Sequence, residues 1–172
     1  MAMDNGEIGW FSPDPRGILP LDAFHVPHGL QRALKKSNFE IRLNTAFEEV
    51  IRACGKRAET WINEEIIGSY VNLYRLGFAH SVEAWMDEKL VGGLYGVSIY
   101  GAFFGESMFH TVANASKVAL VELVDRLNKR GYGLLDTQYV TDHLRRFGAV
   151  EITRSKYMRL LKQALALDCK FI

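Results

Sequence analysis

Apolar and polar residues alternate in blocks along the middle of the chain, and the pattern predicts consecutive strands. The stretch HSVEAWMDEKLVGGLYGVSIYG, from His80, places Asp87 and Glu88 between two apolar runs, and a third run follows over Ala102 to Phe109. Apolar runs of this length separated by turn residues are typical of neighbouring antiparallel strands. The pattern therefore predicts a three-stranded antiparallel meander.

A second pattern, with apolar residues three or four positions apart, predicts helices. Between Ser116 and Arg130 the residues Leu120, Leu123 and Leu127 share one helix face. Further helices are predicted over Ala46 to Ala53, from an Asn63 cap to Gly77, over Asp142 to Phe147 and over Ser155 to Ala166. Short strands are predicted over Phe39 to Leu43, Leu134 to Val140 and Val150 to Thr153. This order predicts an α/β (α+β) fold, with a mixed, mostly antiparallel sheet covered by helices.

The N-terminal stretch has a different composition. Residues 1–20 hold three of the four prolines, so WFSPDPRGILP predicts extended, turn-rich chain. We expect residues 1–38 to form an extended N-terminal segment and residues 39–172 to form the main domain. A chain of 172 residues, 48% of them apolar, is long enough for one such domain with its own core.

Charge and cysteine content narrow the classes of function. The formal net charge of +1 excludes a general polycation, but the last 32 residues, 141–172, carry seven Lys and Arg against three Asp and Glu. That surplus fits either a nucleic-acid contact or a solvated helix face. Cys54 and Cys169 lack metal-site or disulfide-framework spacing, and no leader or membrane segment is evident, so we expect a cytoplasmic protein.

Two polar residues interrupt the apolar strand predicted over Leu134 to Val140. Side chains alternate along a strand, so Asp136 and Gln138 are expected to project from the same face and to reach one ligand together. A carboxylate beside an amide suits a reaction that orients an amine and receives its proton. The alternative is that both side chains simply face solvent at the end of the strand.

A carboxylate also lies within the apolar stretch FFGESMF. Glu106 is surrounded in sequence by three phenylalanines and Met108, where an unpaired charge is unfavourable, so it implies a partner or a cationic ligand. Alternatively, Gly105 marks a bulge that turns Glu106 to solvent. Other chemistries lack their motifs: GGLYG has neither the spacing nor the helix of a dinucleotide fingerprint, and no HExxH is present. We therefore predict no metal and no cofactor.

Several ordered motifs resemble one known family. WFSPDPRG, TWI, GFAHSVEAW, LVGGLYGV, FFGESMF, NASK and LLDTQYVTDHL together resemble the leucyl/phenylalanyl-tRNA–protein transferase family over nearly the whole chain. The resemblance implies a GNAT-like acyltransferase fold that uses Leu-tRNA or Phe-tRNA as the donor. It implies transfer of Leu or Phe to the N-terminal Arg or Lys of an acceptor protein, which marks that protein for degradation in an N-degron pathway.

The resemblance also implies roles for individual residues. Asp136 and Gln138 match the catalytic strand, with Gln138 orienting the acceptor amine and Asp136 receiving its proton, while Glu106 would hold a positive charge. A pocket for the Leu or Phe side chain would be formed by Leu94, Phe103, Met108, Leu120, Leu123, Leu127 and Leu135. The aromatic rings of Phe11 and Trp61 would stack on the terminal adenosine. Arg145, Arg154 and Lys156 would contact tRNA phosphates without reading the sequence.

The chain departs from the family in two respects, and other functions stay open. It starts just before WFSPDPRG, so residues 1–38 would be the remnant of a larger N-terminal domain and residues 39–172 the GNAT-like catalytic domain. Leu123 and Leu127 replace bulkier aromatic residues, which would reshape the pocket. The alternatives are a GNAT N-acyltransferase that uses acyl-CoA, disfavoured because His110 to Ser116 holds no glycine, and a non-catalytic tRNA-binding or peptide-binding module.

Overall fold

A computed structural model describes residue 3 and residues 7–36, 38–57 and 60–172, with only the backbone described at residues 33, 35 and 36. Part of the predicted N-terminal segment therefore lies outside the described residues. Among the described helices, none combines the length and apolar composition that crossing a membrane requires.

A seven-stranded sheet forms the centre of the described chain. Its strands are β1 Arg16–Ile18, β2 Glu40–Leu43, β3 Ala79–Met86, β4 Lys89–Ile99, β5 Ala102–His110, β6 Leu134–Gln138 and β7 Val150–Ile152. They lie in the order β2-β3-β4-β5-β6-β1-β7, and every neighbouring pair is antiparallel except β5 and β6, which are parallel. The predicted meander is β3-β4-β5, so the predicted sheet type is confirmed.

Six described helices cover this sheet. They are α1 His28–Lys36, α2 Phe47–Gly55, α3 Glu64–Arg75, α4 Ala115–Lys129, α5 Asp142–Arg145 and α6 Arg154–Ala164. The predicted cap of α3 is present, since Asn63 Oδ1 accepts a hydrogen bond of 2.9 Å from the backbone N–H of Ile66. Gly131 has a φ of +77° directly after α4, as a helix stop requires.

The N-terminal part differs from the extended, turn-rich segment predicted for it. It contains the helix α1 and the strand β1, and β1 pairs on one side with β6 and on the other with β7. β1 belongs to the same sheet as the strands of residues 39–172. The domain boundary at residue 38 stays a prediction. Pairing of β1 is a non-local event that the proline content of the segment does not reveal.

The two faces of the sheet carry separate apolar cores because side chains alternate along the strands. Leu94 of β4 packs into the core under α4, whereas its neighbour Tyr95 packs into the core under α2 and α3. A smaller cluster under α6 includes Leu134 of β6, while Leu135 faces α4. Helices on both faces thus bury the central strands.

The sheet opens between β5 and β6. These parallel strands pair only over Ala102–Phe104 and Leu134–Asp136, although β5 continues to His110. Beyond the paired residues the two strands no longer hydrogen-bond to each other, so a gap forms at the end of the parallel pair. In open sheets, ligands commonly bind where neighbouring strands diverge in this way.

Candidate active site

A cavity of about 700 Å³ occupies the gap between β5 and β6. It reaches both faces of the sheet, because its walls include residues from the core under α4 and residues from the core under α2 and α3. Its volume is within the range that holds small ligands. One wall is apolar and the other is polar.

The apolar wall lies on the α4 side. It contains five of the seven predicted pocket residues, namely Leu94, Met108, Leu120, Leu123 and Leu135. The structure does not bring the other two to the cavity. Phe103 is fully buried with its ring stacked 5.3 Å from that of Phe171, and Leu127 lies a further turn along α4 in the same core. Both residues pack the core behind the wall.

The polar wall lies on the α2 and α3 side and is centred on Glu106. The pairing of β4 with β5 is irregular here, since Tyr95 opposes Ser107 and the next residue, Gly96, opposes Gly105. Glu106 is the extra residue of this bulge, in agreement with the alternative that Gly105 marks a bulge. The bulge does not turn Glu106 to open solvent, however, because its side chain lines the cavity and is partly buried.

Burial controls the protonation of Glu106. Desolvation raises the pKa of its carboxyl group to about 7, and the approach of the Tyr70 hydroxyl as a hydrogen-bond donor acts in the opposite direction. The negative charge of Asp136 adds to the upward shift. A cationic ligand would stabilise this buried carboxyl group in its ionised form, because a nearby positive charge lowers the pKa of a carboxyl group.

The spacing predicts that Asp136 and Gln138 reach one ligand together, but the structure places them differently. Gln138 lines the cavity, but Asp136 is fully buried and does not line it. The strand ends at Gln138, which has a left-handed φ of +58°, so the predicted extension of this strand to Val140 is not observed. This backbone conformation is unfavourable for a residue with a side chain, and it interrupts the regular alternation of side chains at the end of the strand.

The carboxylate of Asp136 is occupied by three partners. Arg16 donates from Nε at 3.0 Å to Oδ1 and from Nη2 at 2.8 Å to Oδ2. Tyr157 donates its hydroxyl to Oδ2 at 2.6 Å, and the backbone N–H of Gln138 donates to Oδ1 at 2.8 Å. Asp136 therefore holds the backbone of Gln138 in its left-handed turn and connects it to β1 and α6.

The charges of this network support one another. Burial alone would lower the pKa of Arg16, but the hydrogen bonds and charge of Asp136 outweigh it and raise the pKa. Burial, followed by the hydrogen bond to Asp136, raises the pKa of Tyr157, so its hydroxyl stays protonated as a donor. Both shifts describe a carboxylate whose hydrogen-bonding capacity is already used.

Gly17 allows the segment after Gln138 to lie against β1. A Cβ atom at Gly17 would stand 2.6 Å from the carbonyl carbon of Tyr139, closer than real contacts permit. Only glycine lets the two backbones approach in this way. Arg16 and Gly17 of the WFSPDPRG motif thus fix the position of Gln138 together.

Aromatic residues surround the entrance of the cavity. Phe11 and Trp61, the two residues predicted to stack on the terminal adenosine, both line it, and Trp10 and Tyr139 join them. Trp10 is 93% exposed and Tyr139 is 53% exposed. Large exposed rings beside a cavity are typical of surfaces that stack on planar ligands.

The three predicted basic residues lie outside the cavity lining. Arg145 on α5 and Lys156 on α6 are exposed. Arg154 binds the N-terminal segment instead of standing free, since its Nη1 donates to Ser12 Oγ at 3.2 Å and its backbone N–H donates to Asp14 Oδ1 at 3.2 Å. Within the described part of the chain, no three His, Cys, Asp or Glu side chains group as metal ligands would.

Four residues of the site are not predicted by the sequence patterns. Arg16 and Tyr157 support Asp136, while Tyr70 and Tyr95 flank Glu106. Arg16 belongs to the motif WFSPDPRG, which is therefore a signal in the sequence for this residue. Tyrosines within an apolar helix face or strand give no such signal, since they are equally suited to ordinary packing.

Comparison with known proteins places the sequence in a family. The sequence pattern of the family described as "Leucyl/phenylalanyl-tRNA protein transferase" matches residues 18–162. A leucyl/phenylalanyl-tRNA–protein transferase of Gloeobacter violaceus is 56% identical over 172 residues, covering 99% of this chain and 89% of that protein. Another from Paramagnetospirillum magneticum is 57% identical, covering 96% of this chain and 81% of that protein.

Two solved structures superpose on this chain at much lower identity. The structure of L-PGS from Bacillus licheniformis superposes with a TM-score of 0.55 at 11% identity, covering 88% of this chain and 65% of that one. A ribosomal-protein-alanine N-acetyltransferase from Brucella melitensis has a TM-score of 0.46 at 14% identity, covering 64% of this chain and 87% of that one. The first of these likenesses concerns the arrangement of helices and strands alone.

Proposed function

The chain belongs to the leucyl/phenylalanyl-tRNA–protein transferase family, and on that premise we propose that it transfers Leu or Phe from aminoacyl-tRNA to the N-terminal Arg or Lys of an acceptor protein. The observation that carries the proposal is a single cavity with an apolar wall, a partly buried carboxyl group and the side chain of Gln138. Such a cavity can bind an apolar side chain on one wall and a cation on the other at the same time.

The apolar wall suits the aminoacyl side chain of the donor. Leu120 and Leu123 from α4 face Leu94 and Leu135 from the sheet, so a Leu or Phe side chain would be enclosed by apolar atoms. A charged aminoacyl group would lose its hydration without gaining a partner on this wall. The wall thereby selects apolar donors by desolvation, as hydrophobic pockets do.

The aromatic entrance suits the end of the tRNA. Stacking of the terminal adenosine on Phe11 or Trp61 would place the ester bond at the mouth of the cavity without reading a base sequence. Arg145 and Lys156 are available for phosphate contacts at the surface. We assign Arg154 a different role, since its hydrogen bonds to Ser12 and Asp14 hold the segment that follows Trp10 and Phe11 in place.

The polar wall suits the acceptor. Glu106 would attract the positive charge of an N-terminal Arg or Lys, and the burial that raises its pKa also strengthens its attraction for a cation. The acceptor amine is then near Gln138, whose side-chain carbonyl accepts a hydrogen bond from it. The ester is already activated, so the chemistry needs neither ATP nor a metal ion.

The reaction exchanges an ester for an amide. The neutral α-amino nitrogen attacks the carbonyl carbon of the ester, the carbon–oxygen bond to the ribose breaks, and the proton lost by nitrogen is taken up by the departing ribose oxygen. Gln138 orients the nitrogen during the attack. Asp136 acts through Gln138 as a positioning residue, because Arg16, Tyr157 and the Gln138 N–H already occupy its oxygens.

The test is incubation of the purified protein with radiolabelled Leu-tRNA or Phe-tRNA and a peptide that starts with Arg or Lys. Label on the peptide supports the proposal, and a peptide with an acetylated N-terminus is the matched control. Tight tRNA binding without transfer would indicate a non-catalytic module. Reaction with labelled acetyl-CoA instead would indicate an acyl-CoA-dependent enzyme. In a cell, transfer would mark acceptor proteins for degradation in the cytoplasm.

A further inference from the structure

We propose that Tyr95 is a specificity-determining residue of the acceptor site, whose hydroxyl oxygen accepts a hydrogen bond from an arginine side chain held by Glu106. The inference rests on the proposed function and extends it to the choice between the two acceptor residues. It predicts that the protein prefers N-terminal Arg to N-terminal Lys because of one hydroxyl group.

The hydroxyl of Tyr95 is an exception among buried polar groups. Tyr95 is fully buried, it lines the cavity, and within the described part of the chain its hydroxyl has no hydrogen-bond partner. Buried hydroxyl groups are nearly always hydrogen-bonded, and an unpaired one destabilises the fold. An unpaired polar group that does not serve the folded state, on a residue that lines a cavity, points to a ligand.

The position of this hydroxyl is fixed by packing. The ring of Tyr95 packs edge to face against two other rings. The ring centroids are 5.3 Å apart for Tyr70 and 5.9 Å apart for Phe47. Residues held by such contacts on a central strand do not turn away when a ligand leaves. The oxygen is therefore preorganised, so little ordering is needed when the acceptor binds.

The charged groups around Tyr95 favour a cation that can donate several hydrogen bonds. Tyr95 and Glu106 line the same cavity from the neighbouring strands β4 and β5, where Tyr95 lies opposite Ser107. The ring of Tyr95 also packs against the ring of Tyr70, whose hydroxyl approaches Glu106 as a hydrogen-bond donor. The cation Arg57 is also near, but its guanidinium donates to the backbone carbonyl of Met108. The wall therefore offers a carboxylate from β5 and a phenolic side chain from the neighbouring strand β4.

Arginine matches this pair of acceptors better than lysine. Its guanidinium is planar and carries five N–H donors, so a fork bound to Glu106 leaves further N–H groups that need acceptors. The Tyr95 oxygen supplies one. A lysine ammonium is a compact charge that keeps its main interaction with Glu106 whether or not the Tyr95 hydroxyl is present.

The test compares Tyr95→Phe with the wild type on two otherwise identical peptides, one starting with Arg and one with Lys. We expect kcat/KM for the Arg peptide to fall about tenfold, as for a lost hydrogen bond to a charged group, and kcat/KM for the Lys peptide to change less than about twofold. The KM for Leu-tRNA should stay unchanged. An equal fall for both peptides, or no change for either, would overturn the proposal.

A stability measurement separates this role from a structural one. Since the hydroxyl is unpaired in the fold, Tyr95→Phe should leave the Tm unchanged or raise it. Tyr132→Phe is the matched control, because Tyr132 is buried away from the cavity and its hydroxyl bonds Ser98 Oγ at 2.6 Å. That variant should lose stability and keep its Arg-to-Lys ratio. A lower Tm for Tyr95→Phe would assign its hydroxyl to the fold.

The same assay distinguishes the two proposals. If the wild type transfers to neither peptide, the proposed function itself fails. If it transfers to both and Tyr95→Phe keeps the wild-type ratio, only the specificity role fails.

Discussion

Arg16 and Asp136 form a part-buried ion pair across 120 positions of sequence, with Nη2 and Oδ2 separated by 2.8 Å. The pair joins β1 to β6 at the point where Gln138 turns into the cavity. It explains why the WFSPDPRG and LLDTQ motifs belong to one site. Its two residues differ in exposure, since the side chain of Arg16 is 13% exposed and that of Asp136 is 0% exposed.

Removing the charge of Asp136 should lower stability and activity together. Asp136→Asn leaves Arg16 as an unpaired and largely buried cation, which should cost about 3 kcal/mol in the free energy of unfolding, measured by urea titration. Tyr157→Phe removes one hydrogen bond and should cost about 1 kcal/mol. If Asp136→Asn kept wild-type stability but lost all turnover, Asp136 would instead take part directly in proton transfer, as the family resemblance implies.

Gly17 offers a test of how the turn at Gln138 is positioned. The Cβ of Gly17→Ala would press against the backbone of Tyr139, so the turn should shift and kcat should fall by about 10²-fold, the effect of a displacement near 1 Å. The control is Gly68→Ala in α3, where a Cβ meets no atom within 4 Å. That variant should keep full activity and gain about 0.5–1 kcal/mol in stability.

Gln138 should show a trade-off between stability and activity. Its left-handed backbone suits glycine, so Gln138→Gly should not lower the free energy of unfolding, since relief of about 1 kcal/mol of strain offsets the added chain entropy. The amide that orients the acceptor is lost, and kcat should fall at least about 10²-fold with little change in tRNA affinity. Loss of tRNA binding in this variant would contradict an orienting role.

Glu106 should make stability depend on pH. Its pKa is raised from 4.5 to about 7 in the fold, so the folded state binds this proton more tightly than the unfolded chain does. The carboxyl group therefore lowers stability increasingly as pH rises from about 4.5 to about 7, and the whole penalty is present above that range. Glu106→Gln should be more stable than the wild type at pH 8 and closely similar at pH 4.

The same titration should appear in acceptor binding. Below a pH of about 7 Glu106 becomes protonated and loses its attraction for a cation, so the KM for an Arg peptide should rise as pH falls through that range. Glu106→Gln should have a high acceptor KM that lacks this step. A step of equal size in both proteins would assign it to another group.

The apolar wall should set the choice between Leu and Phe. Leu123→Phe fills part of the cavity, so kcat/KM for Phe-tRNA should fall at least about tenfold more than kcat/KM for Leu-tRNA. Leu127→Met is the control, because Leu127 lies in the core outside the cavity lining. It should change stability by less than about 1.5 kcal/mol and leave the donor ratio unaltered.

Most helices and strands could be predicted from sequence because their signals are local. The Asp87 and Glu88 turn, the Asn63 cap and the leucine face of α4 each act within a few residues, and all three are present in the structure. The residues of the apolar wall could be predicted in part, because the leucines of α4 that line it also share one helix face. Residues on one face of α4 share a direction, but periodicity does not tell which turn of the helix ends in a cavity, so Leu123 and Leu127 looked equivalent.

The sequence by itself determined the order of the elements from β2 onward, the family and the set of motifs that this family shares. Only the tertiary structure decided that β1 inserts between β6 and β7, that Asp136 is buried against Arg16, and that Gln138 leaves the strand to enter the cavity. These outcomes depend on backbone pairing and charge burial between residues far apart in the chain. Their energies come from contacts that no short window of sequence contains.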